Sequence, residues 1–144
     1  MEIILSFINI LGIILGVFGV TTIQYLRVNK ERHDILEKTK SFVYVGLFLT
    51  LIYTFYRFVP GAISYTKVSM LFLIMLFYIL EAYKIVRVRF AESFCLTAWY
   101  FILVITFFKV SGLPIAGLIS VFFFLWFFIY LIVRALYFEK SENI

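Results

Sequence analysis

Apolar runs approaching or reaching the length that crosses a bilayer recur along the whole chain, at about 3–26, 42–59, 68–86, 94–110 and 113–138. A hydrocarbon core of about 30 Å takes roughly 20 helical residues, and within it the backbone N–H and C=O groups find no water, so each run must be helical. The composition agrees: 65% of residues are hydrophobic, 22% aromatic and only 15% charged, with a mean hydropathy of +1.09. Soluble domains hold about half apolar and a quarter charged residues, so a water-soluble fold is excluded. The 144 residues leave no stretch for a separate soluble domain. The expected fold is a single all-α domain over 1–144, a polytopic integral membrane bundle of five transmembrane helices. The first run is longer than a signal-peptide core, has no basic segment before it and shows no cleavage site, so it is read as a retained span.

The net charge of +5 would suggest nucleic acid in a soluble protein, but here the placement of charge matters more than its sum. Pro60-Gly61 and Ser111-Gly112-Leu113-Pro114 are tight turns, whereas 27–41 and 87–93 are charged loops. Ten of the 13 basic residues (Arg27, Lys30, Arg32, Lys38, Lys40, Lys84, Arg87, Arg89, Arg134 and Lys140) fall on one side, against Arg57, Lys67 and Lys109 on the other. By the positive-inside rule the amino terminus is outside and the carboxyl terminus in the cytoplasm, in a cytoplasmic (cell) membrane. Opposite charges four apart at Arg27/Glu31, Lys30/Asp34 and Asp34/Lys38 suggest that the first helix continues into the cytoplasm.

An offset of 52 residues relates Ser41-Phe42 to Ser93-Phe94 and Thr54-Phe55-Tyr56-Arg57 to Thr106-Phe107-Phe108-Lys109. Helices two and three would then repeat as four and five, in parallel copies of one hairpin. Chance similarity between Phe- and Leu-rich segments competes with that reading.

Candidate sites follow from the few polar residues. Thr50, Tyr53, Thr54 and Arg57 share one face of the second helix at spacings of three and four. With Thr106 and Lys109 on the fourth helix and Ser6 and Asn9 on the first, they would line an outward cavity suited to an anion or a lipid headgroup. The competing reading has the cations reach phosphates and the threonines bond their own helix. A third helix starting at Val68 must run to about Val86 to complete a span, which brings Glu81 into the membrane edge with Lys84 on its own face and Arg134 on the fifth helix. That set is either a proton or cation site or an interfacial charge pair. Gly12, Gly16 and Gly19 form a small-residue face for helix packing. Trp126 lies mid-span, where its indole N–H needs an acceptor.

Cys95, the single cysteine, reads as a packing residue, and His33 has no second ligand near it for a metal. No cofactor or metal motif, nucleophile triad or paired carboxylate is present, so an enzyme is not expected. Two classes remain. The first is a non-catalytic multi-pass protein acting by interaction, as a sensor or accessory subunit, with the lipid bilayer and a membrane or cytoplasmic protein at the basic loop 27–41 as partners and no nucleic acid. The second is a small transporter or channel for an ion or small solute, working as a homo-oligomer because five helices with few polar residues make a poor pore.

Overall fold

The computed structural model describes the backbone of residues 1–29, 33–108 and 112–142, with the side chains of these except 33 and 137–142. The chain is all-helical: α1 Glu2–Val28, α2 His33–Tyr56, α3 Ala62–Ala82, α4 Val88–Phe107 and α5 Ile115–Glu142. Four of these, α1, α3, α4 and α5, are long and apolar enough to cross a membrane. The exception is α2, whose first two turns carry Asp34, Glu37, Lys38 and Lys40 before its apolar stretch begins.

The boundaries depart from expectation in an instructive way. Described as a helix, α1 ends at Val28, and α2 opens at His33 and carries Asp34/Lys38, whereas Lys30 and Glu31 of the other two pairs lie outside the described residues. The third helix starts six residues before 68, directly after Pro60-Gly61, and ends at Ala82 rather than near 86. Its 21 residues give about 31 Å without the extra turn. A Schellman motif stops it: the Lys84 N–H donates to the Glu81 carbonyl at 2.9 Å and the Ile85 N–H to the Leu80 carbonyl at 2.9 Å, with Lys84 left-handed at φ 58. Glycine takes that conformation without the Cβ penalty. Lys84→Gly should therefore stabilise the fold by about 0.5–1 kcal/mol, read as a rise in the temperature at which the buried Cys95 thiol becomes open to a maleimide.

Alternate helix ends meet, so the bundle runs up and down. α1 packs most extensively on α2, and α4 touches α1, α3 and α5. Within the spanning stretches 61% of α4 is buried against 11% of α5, which makes α4 the hub and α5 an outer helix. The α1–α2 seam is built on glycine. A Cβ on Gly46 would lie 2.6 Å from the Gly12 carbonyl and 2.7 Å from the Gly16 nitrogen, so the two backbones are in direct contact. Gly19 meets Val43, and Gly16 receives the ring of Trp99, which is fully buried. The small-residue face is thus consumed inside the monomer. A second layer of rings, Phe77 stacked on Phe94 at 4.1 Å with Phe122 and Trp126 edge-on to Phe94, ties α3, α4 and α5. Many large apolar side chains, among them Phe18, Phe48, Phe124 and Phe127, stay exposed on the outside of the bundle.

Candidate functional site

At the end opposite the basic turns, a cavity of about 210 Å³ lies between α1, α2, α3 and α4, lined by Asn9, Tyr53, Thr54, Arg57, Lys67 and Thr106 among others. Five of these were expected at one level from their spacing; Lys67 was not. Because α3 begins at Ala62, Lys67 lies inside the helix instead of in an outer loop, and it is only 7% exposed. Its ammonium donates to Asn9 Oδ1 at 3.1 Å and sits 5.5 Å from the centre of the Tyr53 ring. Among the described residues no carboxylate forms a salt bridge with it. The Thr106 hydroxyl is buried with no hydrogen-bond partner among the described residues. Arg57 stands at the rim in an ion pair with Glu2. The site therefore presents an uncompensated cation, a hydroxyl and an amide to a small space.

Thr50 is a correction. It is wholly buried away from the cavity, its hydroxyl donating to the Gly46 carbonyl at 2.8 Å, in the seam against Gly12. Thr54 lines the cavity while its own hydroxyl donates to the Thr50 carbonyl at 2.6 Å, the bond a threonine commonly makes to its own helix. Lys109 lies outside the described residues. Counting back about 20 residues from Glu81 would have put Lys67 within the third span, and that was the missed signal.

The basic end holds a second polar cluster, one residue from each of four helices. Lys40 Nζ is 2.9 Å from Glu81 Oε1, Arg27 Nε is 2.9 Å from Glu92 Oε1, and Arg27 also reaches Glu81 Oε1 at 3.9 Å. The carboxylates are buried, with side chains 7% and 5% exposed, and the cations half-buried. Glu81 is thus paired as expected but not with Lys84, which the Schellman turn leaves exposed beyond the end of α3. Arg134 lines a separate cavity with Arg87 and Arg89. Glu92 and Lys40 fall in the segments expected to be loops, yet both lie on helices, at positions 52 apart and two residues ahead of Phe94 and Phe42.

Between the two clusters the same four helices contribute a closed apolar layer, with Ile13, Val43, Leu71, Ile74, Trp99 and Ile102 each 0% exposed. Trp126 finds its acceptor across the α4–α5 contact, donating to Ser93 Oγ at 3.3 Å. Cys95 is buried beside this layer, and no group of three or more metal-ligating residues occurs among the described residues. Comparison with models of known families, with curated proteins and with solved structures finds no match.

Proposed function

We propose that this chain is a non-catalytic multi-pass membrane protein that acts by interaction, as a sensor or accessory subunit, and that its cavity takes a small anion or an anionic group. The observation that carries this is Lys67, a buried cation on the wall of a polar cavity that forms no salt bridge with a carboxylate among the described residues. A lone charge at such a depth is costly, and a bound anion is the partner that removes the cost. The volume of about 210 Å³ suits an inorganic oxyanion or a carboxylate rather than a metabolite of drug size. In this reading all five helices span the membrane, α2 alongside α1, with the amino terminus and the cavity outside and the basic end in the cytoplasm. The apolar layer between the clusters supports binding rather than passage, since a transport path needs polar groups from one face to the other.

Lys67→Met tests the reading. In buffer free of oxyanions the variant should be at least as stable as the parent, because it loses an unpaired buried charge. With sulfate, phosphate or acetate at 100 times its Kd the parent should gain about 2.7 kcal/mol and the variant nothing, read by protection of the Cys95 thiol. The alternative, a small oligomeric transporter or channel, draws on the Oε2 atoms of Glu81 and Glu92, which are buried without a partner among the described residues. Anion flux in liposomes that is lost in Lys67→Met would establish that alternative and overturn the binding reading.

A further inference from the structure

The second cavity, of about 460 Å³, opens at the basic end between the α3–α4 turn and α5, and three guanidinium groups, those of Arg87, Arg89 and Arg134, line it. Two of its wall residues, Phe90 and Tyr130, are shared with an adjoining cleft of about 370 Å³, whose remaining walls are Phe123, Trp126 and Phe127. The cleft is wholly aromatic and runs toward the middle of the bundle along α5, the helix with the least buried surface, so it faces the acyl chains.

We propose that the two together form a binding site for one anionic phospholipid, its phosphate on Arg87, Arg89 and Arg134 and an acyl chain laid in the aromatic cleft. Guanidinium groups match phosphate oxygens in pairs, and three of them around one cavity favour an acidic headgroup over a zwitterionic one. The continuity of a basic cavity with an apolar cleft fits an amphiphile, whereas a soluble anion has no use for the aromatic walls. The site is separate from the Lys67 cavity at the other end, so either can fail without the other.

Trp126, on the cleft wall, reports on it directly; the other tryptophan, Trp99, is fully buried in the core. The protein is reconstituted in phosphatidylcholine vesicles carrying equal small fractions of either phosphatidylglycerol or phosphatidylcholine with brominated acyl chains. Bromine quenches indole fluorescence on contact, and the brominated phosphatidylglycerol is expected to quench at least twice as strongly. Arg134→Gln should abolish the excess, while Lys38→Gln, with the same loss of charge on an exposed face of α2, should leave it. Equal quenching by the two lipids in the parent protein would overturn the proposal without any variant. So would an excess that survives Arg134→Gln, or falls equally with Lys38→Gln. Inorganic phosphate in millimolar excess should not displace the lipid; loss of the excess quenching on its addition would assign the cavity to a soluble anion instead.

Discussion

Gly46→Ala is expected to break the α1–α2 seam and lower stability by at least about 3 kcal/mol, the upper end of what overpacking usually costs. The reason is the identity of the obstructing atoms. An added Cβ would stand 2.6 Å from the Gly12 carbonyl and 2.7 Å from the Gly16 nitrogen, and backbone cannot turn aside as a side chain can. Relief requires α1 to move off α2, which also lifts Gly16 from the Trp99 ring and Gly19 from Val43. Gly61→Ala is the matched control, because a Cβ there meets nothing within 4 Å and its φ of 168 is an extended conformation that alanine adopts freely. The Cys95 thiol, buried and single, makes the measurement simple: its maleimide labelling against temperature should shift sharply for Gly46→Ala and not for Gly61→Ala. Coincident curves would mean that the two helices do not meet through glycine.

The same seam shows what a sequence can and cannot disclose. Gly12, Gly16 and Gly19 announce a close contact on α1 by their spacing alone, but the residue that brings the α2 backbone against Gly12 and Gly16 is a single glycine, Gly46, set among bulky residues where no pattern marks it. Hydrophobic runs located all five helices, since long stretches that are apolar on every side leave a strong signal. They misplaced the ends, because polar residues near an interface read equally as loop or as helix. Lys67 and Glu92 were lost in that way: each belongs to the first turns of its helix, facing inward, and only the partner across the bundle, Asn9 or Arg27, distinguishes that from a solvated turn. The face of Tyr53, Thr54 and Arg57 was legible because three residues on one helix share a stripe. The pairing of Glu81 with Lys40 was not, as those residues lie 41 apart and their contact depends on how two helices are rotated.

The charge cluster at the basic end should respond asymmetrically to the loss of its two signs. Glu92 and Glu81 have side chains only 5% and 7% exposed, while Arg27 and Lys40 are 29% and 23% exposed. A long cation deprived of its acid can swing its head to the headgroups and water, whereas a short carboxylate deprived of its cation has nowhere to go. Arg27→Met, which strands Glu92, is therefore expected to cost about 3–5 kcal/mol. Glu92→Leu, which strands only Arg27 and leaves it within reach of Glu81, should cost about 1 kcal/mol. Combining the two removes the stranded charge, so the double variant should be more stable than Arg27→Met alone by about 2 kcal/mol or more, a coupling that thermal labelling of Cys95 resolves. Lys84→Gln, on an exposed residue that the Schellman turn holds away from the cluster, should change nothing. Equal and additive losses for Arg27→Met and Glu92→Leu would mean that the pair contributes no interaction and that the basic end is held by helix packing alone. A recovery in the double variant would make the cluster a lock between α1 and α4, the two helices through which the cavity residues Asn9 and Thr106 reach the basic end. That is the connection a sensor or accessory subunit needs between an anion bound at one face and a partner met at the other.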